Sequence, residues 1–378
     1  MNQNKVYFPN LNGIRFIAAM MVIIHHIEQT RFNFNIPNYW KTLSTQHTFF
    51  YCYPPIYIIG RLGVILFFVL SGFLITYLLL AEKDSYTKID IKKFYIRRIL
   101  RIWPLYFLII LLALFVFPHI RCFCTETIVY NYRYYILFGL LFPNVVWAFL
   151  GNVPYAAHTW SIGTEEQFYI LWPFLVQYFK KNILAILFSI IALYLVVKIV
   201  LASAITNFLP YKEMITRFWT TFNIDCMAIG GVFAYLLFTK NNNLKLLLNN
   251  YTFYSLIVST ILLIAKGVYI PNYYYEIYAV LFGILILNFA ANKNIHVSLE
   301  NKYFTFLGTI SYGLYMYQPI CLVFCLKLLF YYKIYTTLTY YAFSICSTIF
   351  VASVSYFFFE KLFIKYKSKY TNITSGLL

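Results

Sequence analysis

Apolar runs of roughly 20 residues, the length that a helix needs to cross a bilayer, recur along the whole chain between short polar segments. This pattern predicts an all-α integral membrane protein with about ten transmembrane helices. The predicted spans lie near residues 13–31, 62–81, 102–118, 165–180, 184–203, 218–239, 252–270, 273–291, 305–331 and 338–359.

One apolar stretch, near residues 134–164, is broken rather than continuous. Pro143, Asn144, Gly151 and Pro154 divide it into a short helix and an irregular return. Irregular backbone is tolerated at membrane depth where it lines a cavity or is buried in protein. We therefore expect a re-entrant segment that lies beside a functional site.

Lysine and arginine are concentrated between alternate apolar runs. The segment between the second and third spans carries Lys83, Lys88, Lys92, Lys93, Arg97, Arg98 and Arg101. Because cytoplasmic loops have an excess of such residues, we predict that this segment and both termini are cytoplasmic. We also predict one membrane domain, residues 1–360, followed by a short basic tail, residues 361–378.

The composition excludes an ordinary soluble protein, since 62% of the residues are hydrophobic and 11% are charged. A formal net charge of +18 would suggest nucleic acid as a partner of a soluble protein. Here the basic residues lie between apolar runs, so membrane topology explains them and no nucleic-acid partner is expected.

The seven cysteines form no CxxC pair and no zinc spacing, so no metal site is predicted. Cys122 and Cys124 fall in a predicted outer loop and could oxidise.

Two ionisable residues of the first span share one helical face. The rotation about the helix axis from Arg15 to His26 is about 1100°, or three turns plus about 20°, whereas His25 points about 80° away from Arg15. Ionisable groups inside a membrane usually face a cavity or a partner, so Arg15 and His26 are candidate site residues. Alternatively, Arg15 reaches the cytoplasmic headgroups and the histidines bond to carbonyls at the outer end of the helix.

Two further polar groups lie near predicted membrane surfaces. Arg98 and Arg101 share a face at the inner surface, where arginine could bind the phosphates of an acidic ligand bidentately. Their alternative is a simple positive-inside anchor. Glu165 and Glu166 fall where a helix begins, and there the alternative is a favourable interaction with the helix dipole.

Three other residues are candidates with a supporting role. Arg217 precedes a predicted span and Asp225 lies within it, where Asp225 could simply pair with Arg15 or Arg217. Ser71 stands next to Gly72, and such small residues usually let membrane helices approach closely.

Six segments, taken in order, resemble the membrane acyltransferase 3 family. They are the Arg-x10-His of the first span, "GVILFFVLSGFLI", "FYIRRILRIWP", "HTWSIGTEEQFY", "LGTISYGLYMYQPI" and "SYFFFEKLF". The resemblance covers nearly the whole chain. It implies transfer of an acyl group, usually acetyl, from cytoplasmic acyl-CoA to a hydroxyl of an extracytoplasmic glycan.

The resemblance also assigns roles to residues. Arg15 and His26 match the Arg-x10-His motif, whose histidine is regarded as catalytic, and Arg98 and Arg101 match the donor-binding motif. Supporting or acceptor-side positions are Trp160, Ser161 and Tyr315, together with Ser71, Arg217 and Asp225; Glu165 matches the motif's glutamate and is grouped with the catalytic residues.

The chain departs from the family pattern at Ile65, Gln318 and Leu362. Ile65 stands at an often polar position, and Leu362 replaces a usual proline. Gln318 replaces a histidine that often follows the "SYGLYLW" motif. Because glutamine cannot carry a proton near neutral pH, a titrating role at this position is not expected here.

The implied enzyme would sit in the bacterial cytoplasmic (inner) membrane, with acetyl-CoA as a co-substrate and no tightly bound cofactor. Its acceptor could be O-antigen, capsule, exopolysaccharide or peptidoglycan. Many relatives carry a fused extracytoplasmic domain that this sequence does not show, so a separate acceptor-recognition protein is a possible partner. A proton-coupled carrier of an acidic solute and a purely structural membrane subunit are the alternative functions.

The expected chemistry assigns a separate task to each group. His26 would remove the proton of the acceptor hydroxyl, since an unperturbed histidine pKa of about 6.5 suits a general base. Arg15 or backbone NH groups of the broken segment would stabilise the oxyanion, and Glu165 could orient the imidazole. An acyl-histidine intermediate is the competing mechanism.

Overall fold

The computed structural model describes residues 5–37, 45–46, 51–120, 123, 130–241, 244–371 and 373–375. Cys122 and Cys124 lie outside these residues. Within them, eight helical stretches are long and apolar enough to cross a membrane. They are Leu11–Asn33, Pro55–Tyr86, Ile91–His119, Ala157–Ala202, Lys212–Phe238, Tyr274–Ala291, Ser311–Tyr331 and Thr337–Lys367.

The fourth stretch contains two successive helices, and a shorter apolar helix covers Asn250–Ala265. The predicted all-α membrane fold is confirmed, with a helix count close to the expected ten.

The first three helices follow their predicted spans but are longer. They are α1 (Leu11–Asn33), α2 (Pro55–Tyr86) and α3 (Ile91–Leu111). Proline suits the first position of α2 because no helical partner is needed there for a backbone NH. Asp90 caps α3 by accepting a hydrogen bond of 2.9 Å from the backbone NH of Lys93. A π-helical turn, Leu112–Val116, extends α3.

The stretch that was predicted to be broken does not form one continuous helix. It comprises α4 (Tyr132–Gly139), the short α5 (Pro143–Val145) and a π-helical turn, Val146–Leu150. Gly151 ends that turn at a φ of 114°, which glycine adopts without steric cost. Two hydrogen bonds of 2.9 and 3.1 Å join the Asn144 and Gln167 side chains and tie the segment to the next helix. Its depth in the membrane stays a prediction.

The predicted span at 218–239 is divided into two helices. The four helices of this region are α6 (Trp160–Phe179), α7 (Ile183–Ala202), α8 (Lys212–Phe222) and α9 (Ile224–Phe238). The break falls at Asn223, whose φ of 39° is left-handed. Asparagine tolerates this conformation because its short side chain bonds locally, and its Nδ2 donates to the Thr221 carbonyl at 3.2 Å.

Of the last four predicted spans, only 305–331 is divided into two α-helices. The helices here are α10 (Leu244–Leu247), α11 (Asn250–Ala265), α12 (Tyr274–Ala291), α13 (Lys302–Thr309), α14 (Ser311–Tyr331), α15 (Thr337–Ser355) and α16 (Lys361–Lys367). A π-helical turn, Tyr356–Glu360, joins α15 to α16. Helical structure therefore continues beyond residue 360, where the membrane domain was predicted to end.

Five two-residue strands complete the described fold. They are β1 (Lys5–Val6), β2 (Thr45–Gln46), β3 (Tyr51–Cys52), β4 (Val268–Tyr269) and β5 (Thr374–Ser375). Strands β1 and β5 pair in parallel, and β2, β3 and β4 form an antiparallel sheet in that order.

Helix α2 lies at the centre of the bundle. It packs antiparallel to α1, since Gly63 contacts Ala18 whereas Gly60 contacts His25. It also packs against α9, where a Cβ added at Gly72 or Gly230 would collide with the backbone of the other helix. The predicted close helix packing at Gly72 is therefore confirmed.

Candidate active site

A cavity of about 220 Å³ lies among α1, α2, α3, α6, α14 and α16. It gathers most of the polar candidates that the sequence pointed to, although these come from five different helices. The candidates in its lining are Arg15, Ser71, Arg98, Arg101, Ser161, Glu165 and Tyr315. We call this space the basic cavity.

The basic cavity has an excess of positive charge. Arg15, Arg98, Arg101 and Lys367 all contribute to its lining. Asn12 accepts a hydrogen bond of 3.0 Å from Arg15, but the ion pairs among the described residues include none of these four cations. Their guanidinium and ammonium groups are therefore available to a ligand that carries phosphate or carboxylate groups.

Aromatic rings hold one of these arginines in place. The Arg98 Cζ lies 5.2 Å from the centroid of the Tyr169 ring and 5.6 Å from that of Phe94. Stacking of this kind leaves the edge of the guanidinium free for a bidentate contact. The arrangement favours a binding role for Arg98 over a simple anchor at the membrane surface.

The two neighbouring glutamates have different environments. Glu165 lines the basic cavity and accepts a hydrogen bond of 3.2 Å from the Tyr169 hydroxyl, which also bonds to Ser71. Glu166 instead accepts a hydrogen bond of 3.0 Å from the Trp103 indole. Only Glu165 is therefore placed to meet a ligand in this cavity.

His26 lies further along α1, and its imidazole is half-buried. Its Nδ1 is 2.5 Å from the side-chain amide of Gln318. The group that orients this imidazole is therefore Gln318, whereas the sequence had suggested Glu165. The neighbouring His25 is buried, and its Nδ1 lies 2.9 Å from the Ile56 carbonyl oxygen. Its contacts fit the prediction that it faces away and supports packing.

A hydrogen-bonded layer connects the wall of the basic cavity to the surroundings of His26. The hydroxyls of Ser161 and Tyr315 lie 2.7 Å apart, and Tyr315 also donates to the His158 carbonyl at 2.7 Å. The rings of His158 and Tyr315 pack at 5.3 Å, and His158 interacts electrostatically with His26. Ser161 and Tyr315 thus connect the region of the arginines to that of the histidine.

Besides His26, three other candidates lie outside the basic cavity. Trp160 packs its ring against Phe68 at 6.2 Å, and the Arg217 guanidinium lies 5.7 Å from the Trp147 ring. Asp225 is fully buried.

Asp225 does not pair with Arg15 or Arg217, as the sequence had allowed. It interacts instead with Lys198 and Glu276, whose side chains form an ion pair of 2.6 Å. Since this pair belongs to α7 and α12, the charged neighbours of Asp225 come from segments distant in sequence.

Tyr169 and Lys367 are among the residues of the basic cavity that sequence reasoning missed. Tyr169 lies within the "HTWSIGTEEQFY" segment and one turn after Glu165, so the helical period could have identified it. Lys367 had been assigned to the basic tail. No periodicity would have placed it in the cavity, because its position depends on how α16 folds back after the π-helical turn.

Charged groups that line a cavity within a multi-helix membrane protein are typical of an enzyme or a carrier rather than of a structural subunit. Comparison with known proteins decides the class further. The chain belongs to the acyltransferase 3 family, whose acyltransferase domain matches residues 8–357.

Its similarity to individual proteins points in the same direction. The chain is 29% identical over 243 residues to the O-acetyltransferase OatA of Staphylococcus aureus (strain NCTC 8325 / PS 47), which covers 61% of this chain and 35% of that protein. It is 29% identical over 189 residues to the peptidoglycan O-acetyltransferase OatA of Listeria monocytogenes, covering 47% of this chain and 25% of that protein. The matched region thus spans about a third or less of these relatives' length. No solved structure matches the chain significantly.

Proposed function

We propose that this protein is a membrane O-acyltransferase that moves an acetyl group from acetyl-CoA to a hydroxyl of a cell-envelope glycan. The observation that carries the proposal is the basic cavity, in which Arg15, Arg98, Arg101 and Lys367 converge beside a hydrogen-bonded layer that leads to His26. The names of the two relatives support acetyl as the group and glycan as the acceptor class.

The donor enters from the basic end of the bundle. Coenzyme A carries several phosphates, and bidentate arginines recognise such groups well. The rise along α1 from Arg15 to His26 is about 16 Å, so an extended arm must join the bound phosphates to the reacting thioester. The pantetheine arm of coenzyme A has this form. Acetyl-CoA acts as a co-substrate and not as a resident cofactor.

The proposed orientation places this end in the cytoplasm, together with both termini. Its support is the density of lysine and arginine between Lys83 and Arg101, at the end of α2 and in the first half of α3. The protein then lies in the bacterial cytoplasmic membrane, and the His26 end faces the acceptor outside. The acceptor is peptidoglycan or another envelope polysaccharide, reached directly or through a separate recognition protein.

His26 acts as the general base in the proposed reaction. It accepts the proton of the acceptor hydroxyl while the hydroxyl oxygen bonds to the thioester carbonyl carbon. The carbon–sulfur bond then breaks, and the coenzyme A thiolate leaves with the proton. Arg15 and the other cations of the basic cavity hold the phosphates of the donor, and this contact positions its thioester near His26.

The test uses the purified protein in nanodiscs with acetyl-CoA, measuring release of free CoA and transfer of labelled acetyl to a glycan oligosaccharide. We expect slow CoA release without acceptor and faster release with it. Arg98→Lys keeps the charge but loses the bidentate contact, so acetyl-CoA affinity should fall about tenfold, since charge-assisted hydrogen bonds contribute about 1.5–3 kcal/mol.

Lys92→Arg is the matched control, because Lys92 is exposed on the same helix and does not line the basic cavity. Unchanged affinity in Arg98→Lys would remove the donor assignment. Uptake of acetyl-CoA or another acidic solute into vesicles without any CoA release would instead identify a carrier.

A further inference from the structure

A second group of basic and aromatic residues lies outside the basic cavity. The Arg61 guanidinium is 5.8 Å from the ring centroid of Trp147 and 5.8 Å from that of Trp160. The Arg217 guanidinium lies over the Trp147 ring as well, at 5.7 Å. We call Arg61, Trp147, Trp160 and Arg217 the arginine–tryptophan cluster. It joins α2, α6 and α8 to the broken segment after α5.

The cluster lies at the histidine end of the bundle. Arg61 follows Gly60, which packs against His25, and the rings of His25 and His26 are 5.2 Å apart. Ser71, in the wall of the basic cavity, is ten residues further along α2, or about 15 Å away at 1.5 Å per residue. Along α2, Arg61 of the arginine–tryptophan cluster and Ser71 of the basic cavity are therefore at different depths, whereas Trp160 contacts Phe68 in the cavity wall.

The charges of the cluster have no acidic counterpart among the described residues. Arg61 donates a hydrogen bond of 3.2 Å to the Tyr275 hydroxyl, and the ion pairs of the described chain include neither Arg61 nor Arg217. The Arg61 side chain is nonetheless half-buried. A guanidinium that is partly removed from water without a carboxylate partner favours the binding of an anion from outside the chain.

The surroundings of Arg61 are rich in aromatic rings. Tyr53 stacks on Tyr57 at 5.3 Å and on Tyr51 at 6.1 Å, and Tyr57 is 42% exposed. Aromatic faces carry negative potential, so they attract the weakly polarised C–H groups on the face of a sugar ring. Tryptophan and tyrosine faces beside arginines suit a sugar chain that carries acidic groups.

We propose that the arginine–tryptophan cluster is the acceptor subsite, which binds a carboxylate or phosphate on the glycan while the tryptophan faces hold its sugar rings. This proposal rests on the proposed function. The subsite deepens it by naming an acidic glycan as the acceptor class. Because the cluster adjoins the two histidines, a chain held there presents a neighbouring hydroxyl towards His26.

The experiment measures binding to the full-length protein in nanodiscs made only of phosphatidylcholine. The probes are a neutral oligosaccharide of N-acetylglucosamine and one of equal length in which alternate sugars carry a free carboxylate. We expect the acidic oligosaccharide to bind at least tenfold more tightly, as two charge-assisted contacts would give. Arg217→Gln should remove most of this preference, and because Arg217 is exposed, the variant should fold.

Arg133→Gln is the matched control, since Arg133 is an exposed arginine of α4 and is not one of the residues that define the arginine–tryptophan cluster. Equal affinity for the two oligosaccharides, or a preference that Arg217→Gln leaves intact, would overturn the proposal. In a second arm, phosphatidylglycerol is added and bound lipid is counted by native mass spectrometry. Loss of bound lipid in Arg217→Gln without any change in sugar binding would identify a lipid site and also overturn it.

The assay separates this proposal from the function on which it rests. Binding of the oligosaccharides needs no acetyl-CoA, and CoA release needs no oligosaccharide. A protein that releases CoA but does not distinguish the two sugars keeps its proposed function and loses the subsite. A protein that never releases CoA loses the proposed function, whatever it binds.

Discussion

The side-chain amide of Gln318 lies 2.5 Å from Nδ1 of His26, although the two residues are on α14 and α1. The amide nitrogen faces the ring, and the buried amide oxygen has no hydrogen-bond partner among the residues that the structure describes. A half-turn of the amide would let this oxygen accept a hydrogen bond from Nδ1–H. That tautomer leaves Nε2 of His26 unprotonated, as a general base requires.

We expect Gln318→Leu to lower kcat by at least fivefold with little change in the KM for acetyl-CoA. The reason is that an imidazole without its partner is no longer held in one tautomer, and an unmade buried hydrogen bond costs about 1–3 kcal/mol. Gln318→His, which can accept the same bond, should restore most of the rate. Steady-state kinetics would contradict this role if both variants matched the parent, or if KM alone changed.

Substitution of the paired histidines should separate catalysis from packing. His26→Ala and His26→Gln should both reduce acetyl transfer by about 10²–10⁴-fold, the usual contribution of a general base. His25→Ala should keep most of the rate but lower thermal stability, because it removes the contacts with the Ile56 carbonyl and Gly60. The variants are compared at equal amounts of protein in the membrane. Transfer that survives in His26→Ala and is lost in His25→Ala would refute the assignment.

Removal of the Glu165 carboxylate from the basic cavity should strengthen the binding of acetyl-CoA but lower the rate of transfer. Glu165→Gln takes away a negative charge that interacts with Arg15 and Arg98, so the KM for the anionic acetyl-CoA should fall several-fold. The kcat should also fall if this carboxylate acts on the reacting groups. Glu166→Gln is the control, because Glu166 bonds to Trp103 and does not line the cavity. A higher KM in Glu165→Gln would argue against electrostatic opposition to the donor.

The orientation of the protein in the membrane can be tested by thiol labelling. In a cysteine-free background, Lys88→Cys should be protected from an impermeant thiol reagent in intact cells, and Asn152→Cys should react. Both positions are exposed, so burial does not explain a difference. Labelling of Asn152→Cys only after lysis would place the segment after α5 on the cytoplasmic side.

The sequence was informative about single helices and less so about their neighbours. Periodicity placed Arg15 and His26 on one face, and proline and glycine located the break after α4, because both signals are local. The partners of Asp225 could not be found in this way, since Lys198 and Glu276 come from other helices. The break at Asn223 was also missed, because an apolar run does not reveal a left-handed residue within it.

The site itself was predicted through the family resemblance more than through physical pattern. The motif segments indicated that Arg98, Arg101 and Glu165 belong together, and the basic cavity brings them together with Arg15. Gln318 was identified only as a departure, and its contact with His26 depends on how α14 packs against α1. Arg61 was not singled out, because a single arginine at the start of an apolar run resembles a topology signal.

The contact between α2 and α9 has a mechanical consequence. At Gly72 and Gly230 the backbones of α2 and α9 touch with no side chains between them. No side chain can change its rotamer at these contact points, so α2 and α9 should move together as one rigid unit. This unit includes Ser71 of the basic cavity and Arg61 of the arginine–tryptophan cluster. Any opening that admits donor or acceptor should therefore come from the other elements around the basic cavity, the helices α1, α3, α6, α14 and α16, or from the broken segment after α4, and not from a change between α2 and α9.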